Sequence, residues 1–123
     1  MRKCKVKEDK RVKKLEIYAT RCRQNVLRMV RASGHGHVGG ALSAIDVVTA
    51  LYFDKMNIDP QKPKMQGRDR FLLSAGHKCL AQYATLAERG YFDKSVLDTY
   101  GSFKSLIPGH PDMHKLPGVE ANT

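Results

Sequence analysis

A chain of 123 residues, 41% hydrophobic and 28% charged, has the size and balance of one small domain, and no apolar run approaches the roughly 20 residues that a bilayer-spanning helix needs. The formal net charge of +10 is concentrated: residues 1–31 hold 12 Lys/Arg against 3 Asp/Glu, and the remainder holds 10 against 9. The basicity therefore belongs to one N-terminal element, and the rest of the chain is nearly neutral.

Met1 to about Asp9 is a polar tail, expected to be frayed, with no apolar stretch after its basic residues and so no secretory signal. From Asp9 or Lys10 to about Ala32, Val12, Leu15, Ala19, Cys22, Val26 and Met29 recur at three- and four-residue steps. That spacing predicts a long helix with one apolar stripe, basic on its other faces and ended by Gly34. Ser33 to Gly40 holds four glycines and is expected to be a turn that a ligand can approach closely. Ser43 with Asp46 has the form of a capping box, opening a largely buried helix from Ala44 to about Lys55.

Residues 57–70 carry Pro60, Pro63 and Gly67 and are expected to be a surface loop. Arg70-Phe71-Leu72-Leu73 is expected to be a short buried strand, and Cys79 to Glu88 a helix with Leu80, Tyr83, Ala84 and Ala87 on one face and Gly90 closing it. Asp93 is placed to cap a short helix running to about Tyr100, and the chain from Gly101 onward is expected to be irregular. The organisation is a tail over 1–9, a basic amphipathic helix over 10–32 and a motif-bearing part over 33–123. The class is α/β, mostly helical in this segment with one short strand. Since one strand makes no sheet, the segment is expected to be part of something larger, with a tendency to associate through surface left uncovered.

A strand, a glycine turn and a helix start leave unpaired N–H groups and a positive dipole end facing outward, which suits an anion. Ser74-Ala75-Gly76-His77 sits at such a point, and a histidine there can add a hydrogen bond to a phosphate. All five histidines, His35, His37, His77, His110 and His114, lie in or beside glycine and proline turns. They are candidates for holding phosphates, polarising hydroxyls or moving protons, or are plain surface residues. A metal site has little support: Pro111 disfavours a helix carrying His110 and His114, and His35 with His37 are too few ligands. Cys4, Cys22 and Cys79 include no C-x-x-C pair and are expected to be free thiols in a reducing cytoplasm. Asp46 is explained as a helix cap and Asp69 as a partner for Arg68 or Arg70, whereas Glu120 ends a Pro-Gly-Val-Glu turn and is open to burial. The basic block is accounted for by a solvated helix face. Nucleic-acid binding lacks aromatic interleaving, and would show as affinity that falls steeply with salt.

Four segments in order resemble the N-terminal half of the transketolases, thiamine-diphosphate enzymes of the pentose phosphate pathway. They are Gly36-His37-Val38-Gly39-Gly40-Ala41-Leu42-Ser43, Arg68 through His77 (RDRFLLSAGH), Pro108-Gly109-His110-Pro111-Asp112 and Pro117-Gly118-Val119-Glu120. The likeness runs from about residue 12 to residue 123. The glycine pair after His37 is more like the split transketolases, in which the pyrophosphate-binding and pyrimidine-binding halves are separate chains. Related sugar-phosphate synthases share the glycine–histidine turn but do not usually carry Pro-Gly-His-Pro.

The resemblance implies a thiamine-diphosphate-binding fold and transfer of a two-carbon ketol unit between sugar phosphates. It puts His37 in the substrate channel near the ketose hydroxyls, and His77 with Gly76 at the cofactor diphosphate. His110 would bond the donor's first hydroxyls and help proton transfer, and Gly109 would let the backbone approach the cofactor. His35 and His114 have no counterpart in the family. It implies thiamine diphosphate and Mg²⁺ as cofactors, although the Gly-Asp-Gly motif and later asparagine that hold the metal are absent here. It also implies a C-terminal pyrimidine-binding half as partner, a homodimer or higher assembly, and a cytoplasmic location without nucleic acid or membrane. A truncated N-terminal portion, inactive by itself, is expected; the alternative is a non-catalytic module that docks on a partner half.

Overall fold

The computed structural model describes residues 9–123, so the tail expected over residues 1–9, with Cys4, lies outside the described residues except for Asp9. Helix α1 spans Lys10–Ser33, α2 Val38–Ala50 and α3 Cys79–Arg89; a π-helical turn, Leu51–Lys55, extends α2, and 3-10 turns cover Gly76–Lys78 and Lys94–Thr99. The three helices pack on one another around a single apolar core. None of the helices among the described residues is long and apolar enough to cross a membrane.

Helix α1 starts and stops where its sequence dictates. The Asp9 side chain accepts a hydrogen bond from the Arg11 N–H at 2.9 Å. Gly34, at φ 76°, donates its N–H to the Val30 carbonyl at 2.7 Å. Ala19, Cys22, Val26 and Met29 form the buried stripe, whereas Val12, one turn into the helix, is 49% exposed, so the stripe begins later than its periodicity suggests. Asn25 is also buried, and its Nδ2 donates to the Ala84 carbonyl and to Glu88 Oε2, both at 3.1 Å. This polar bridge ties α1 to α3 while satisfying a side chain that would otherwise be costly to bury.

Two sequence expectations about α2 are corrected. The glycine-rich turn is confined to Gly34–His37, because Val38, Gly39 and Gly40 are already helical. Ser43 is therefore no cap: one turn inside the helix, its Oγ donates to the Gly40 carbonyl at 2.7 Å. Asp46 accepts from Arg23 Nη2 at 2.5 Å, an α1–α2 tie. Val47 is 63% exposed, so this mostly apolar helix has one uncovered side.

The strand expected at Arg70–Leu73 does not form, and among the described residues the structure has no strand. Among the described residues no segment pairs with it in a hydrogen-bonded ladder, without which extended chain is not a sheet. Leu73 is buried, but Leu72 is 59% exposed. Helix α3 is more enclosed than a single face predicts: every residue from Cys79 to Ala87 is buried, because α1, α2 and the 3-10 turn Lys94–Thr99 surround it. Gly90 ends it at φ 100°, and Asp93 caps the following 3-10 turn by accepting from Ser95 N–H at 2.8 Å. Cys22 and Cys79 are free and buried.

The irregular C-terminal part contributes Ile107, Leu116 and Val119 to the core. It is tied down by a bidentate ion pair: Arg68 Nε and Nη2 donate to the Glu120 carboxylate at 2.8 and 2.7 Å, and both side chains are only 11% exposed. Asp69, expected as a partner of Arg68 or Arg70, instead accepts from the Asn57 N–H at 2.7 Å and closes the base of the 57–69 loop. The hydrogen bonds from Arg68 hold the Glu120 carboxyl below the ordinary carboxylate range. A lowered folded-state value means that the pair stabilises fully above the ordinary carboxylate pKa and less as pH falls through and below it. Thermal midpoints measured from about pH 6 to about pH 3 are expected to fall more steeply in the parent chain than in Glu120→Gln. Equal acid slopes would show that the pair contributes nothing.

Candidate functional site

Two helix starts meet at one surface of the molecule. His37 is the residue before α2 and makes no capping bond with its side chain, and no acidic residue lies in the first turn. The first N–H groups of a helix have no intrahelical acceptor, so those at Gly39 and Gly40 are left without one. The 3-10 turn Gly76–Lys78 leads into α3 with the same features: no side-chain cap and no carboxylate in the first turn of either element. The partial positive ends of both helices thus have no side-chain cap and no first-turn carboxylate to offset them.

Three of the five histidines converge here. The His37 and His77 rings stand edge to face with centroids 5.6 Å apart. His110 lies against Gly76, where a methyl group would sit 2.7 Å from His110 Nδ1 and 2.5 Å from the carbonyl carbon of Thr123. Glycine at 76 is what lets the 108–111 turn and the end of the described chain close onto the start of α3. The Thr123 N–H donates to the Pro111 carbonyl at 3.2 Å, which holds that approach. No protein neighbour demands glycine at 109, since a methyl there would meet nothing within 4 Å.

The remaining two histidines stay apart. His35 leans on Tyr100, with centroids 5.9 Å apart, and the His114 N–H donates to Asp112 Oδ1 at 2.8 Å on an exposed turn. The anion geometry expected of a strand, turn and helix is built instead from extended chain, a 3-10 turn and a helix. One neighbour escaped the sequence reading: the Lys78 stem crosses Gly40, with Cγ 3.3 Å from a methyl built there. Its only sequence signal is its place next to His77. Among the described residues no group of three or more His, Cys, Asp or Glu side chains gathers as a metal site requires.

Residues 14–123 match the family described as transketolase, thiamine diphosphate binding domain. The chain belongs to the transketolase family. Among relatives of this transketolase segment, one of the subunits of the apulose-4-phosphate transketolase of Phocaeicola vulgatus is 44% identical over 112 residues, which is 91% of this chain and 40% of that protein. The 6-deoxy-6-sulfo-D-fructose transketolase subunit of a Clostridium species is 42% identical over 109 residues, 89% of this chain and 40% of that protein. In solved structures, transketolase from Leishmania mexicana superposes with a TM-score of 0.83 at 33% identity, over 89% of this chain and 16% of that one. The chain thus spans about two-fifths of the length of the two subunits it matches.

Proposed function

We propose that this segment forms the diphosphate-side wall of a transketolase active site. The observation that carries this reading is the meeting of two uncapped helix starts with His37, His77 and His110 and no first-turn carboxylate. The arrangement fits thiamine diphosphate at its phosphate end. Backbone N–H groups at Gly39 and Gly40 and the His77 imidazole supply donors, the helix dipoles favour negative charge, and the open space beside Gly109 permits close approach. When bound, thiamine diphosphate supplies the carbon nucleophile and electron sink for moving a two-carbon ketol unit between sugar phosphates.

This chain's own groups orient and move protons. His110 holds the first hydroxyls of the ketose donor and exchanges a proton with them. His37 meets the hydroxyls further along the sugar. Mg²⁺ does not fit these residues, because no set of carboxylate ligands is assembled among those described; it belongs with groups elsewhere in the complete enzyme.

Two of the relatives are named as subunits, which supports a partner subunit; that partner carries the pyrimidine-binding half. The test joins this segment to the metal-holding remainder of a split transketolase's pyrophosphate-binding half, adds the pyrimidine-binding half, thiamine diphosphate and Mg²⁺, and follows co-elution and ketol transfer together. A complex that turns over a ketose phosphate is expected. A complex with no turnover replaces catalysis by a docking role, and failure to associate overturns the partner assignment.

A further inference from the structure

Helix α3 carries two polar side chains, Cys79 and Tyr83, that the site so far leaves unused. Four residues apart, they lie on one helix face and are 1% and 0% exposed. Cys79 Sγ–H donates to the Gly109 carbonyl at 3.1 Å, and the Tyr83 hydroxyl donates to the Pro108 carbonyl at 2.7 Å. A carbonyl oxygen is part of a planar unit that includes the next residue's N–H. Fixing the Pro108 carbonyl therefore fixes the Pro108–Gly109 plane, and fixing the Gly109 carbonyl fixes the Gly109–His110 plane.

Between the two anchored planes only φ and ψ of Gly109 remain. Glycine has more backbone freedom than any other residue, while His110, preceding Pro111, is already restricted to extended conformations. Gly109 is thus the loose joint of the turn. Packing does not hold it: no atom lies within 4 Å of its missing methyl, and the turn borders a cavity of about 280 Å³ lined by His35, Tyr100, Ser105 and Lys115 among others. The two hydrogen bonds from α3 supply the restraint on Gly109, and the Thr123 N–H bond to the Pro111 carbonyl acts beyond His110.

We propose that Cys79 and Tyr83 are positioning residues that hold His110 in register with His77 by anchoring both peptide planes around Gly109. What His110 then does rests on the cofactor assignment above; the positioning itself does not. His77 stands on the turn that leads directly into α3, so one rigid helix sets both imidazoles. Burial pushes the Cys79 thiol up to about 11 and raises the Tyr83 hydroxyl as well, so both remain protonated donors at neutral pH.

The 123-residue chain itself supplies the test, by nuclear magnetic resonance on Tyr83→Phe, Cys79→Ala, Cys79→Ser and the Tyr83→Phe/Cys79→Ala double variant. Each change removes or swaps one heavy atom, and unshifted Leu86 and Ile107 methyl signals verify that the core is retained. The expected result is loss of the nuclear Overhauser contact between the His110 imidazole and the Gly76 α-protons in the double variant, with weakening in Tyr83→Phe and in Cys79→Ala. Cys79→Ser, which keeps a donor, restores it, and His35 and His114 do not move. Persistence of the contact in the double variant overturns the proposal, and a serine variant that behaves like the alanine variant removes Cys79 from it. Inorganic pyrophosphate titrated into the parent chain reads the cofactor assignment separately. A flat His77 response alongside a Tyr83-dependent His110 contact removes that assignment and leaves the positioning role intact.

Discussion

Leu86→Ala is expected to lower the unfolding free energy by about 3 kcal/mol, within the usual span of about 2–5 kcal/mol for such truncations. Leu86 is fully buried in the middle of α3, the helix that α1, α2 and the Lys94–Thr99 turn enclose. Its Cδ2 would lie 2.8 Å from a methyl at Gly118, so the C-terminal segment is packed hard against it. Truncation leaves a void that must be closed by shifting either that segment or a neighbouring helix. For a domain whose whole stability is about 5–15 kcal/mol, the loss is large and corresponds to a fall of about 10 °C in Tm. Urea unfolding followed by circular dichroism measures it. Leu86→Met, which keeps the volume, is expected to cost less than about 1.5 kcal/mol. A loss below about 1 kcal/mol for the alanine variant would mean that the site collapses freely and that α3 is not the centre of the core.

His110→Ala, in the assembled enzyme, is expected to reduce kcat/KM by about 10²–10⁴-fold, the range for removing a positioned proton-transfer group. His77→Ala is expected to act differently, raising the thiamine diphosphate concentration needed for half-maximal rate, because its place beside the start of α3 suits an anion. His114→Ala is the control, since that side chain stands on an exposed turn outside the cluster. Steady-state kinetics over a cofactor titration separates the three. If His114→Ala is as damaging as His110→Ala, the convergence of His37, His77 and His110 has no bearing on turnover.

Local signals in this chain are legible where neighbours in sequence are also neighbours in space. The Gly34 and Gly90 stops and the Asp93 cap each act within four residues, and each stands where the sequence puts it. The Ser43–Asp46 pair has the same local form and misleads, because α2 has already begun at Val38 and Asp46 finds Arg23 on another helix. The apolar run at Arg70–Leu73 fails for a similar reason. A strand is a pairwise structure, and hydrophobicity along one segment carries no information about whether a partner lies beside it.

The candidate site divides the same way. Glycine and proline around His37, His77 and His110 mark three turns, and their order carries the family. Nothing in the spacing shows that the His37 and His77 rings stand 5.6 Å apart, that His110 closes on Gly76, or that Lys78 crosses Gly40. Arg68 and Glu120 are 52 residues apart, and of the two only Glu120 stands out in the sequence as open to burial.

By itself the sequence determined where α1 starts and stops, where α3 stops, and the apolar stripe of α1 from Ala19 to Met29, because these follow from short-range sterics and hydrogen bonding. Tertiary structure decided which turns share a surface, which carboxylate meets which guanidinium, and that Cys79 and Tyr83 reach under the Gly109 turn. Those outcomes depend on how three helices pack, and packing is settled by the shapes of many side chains at once.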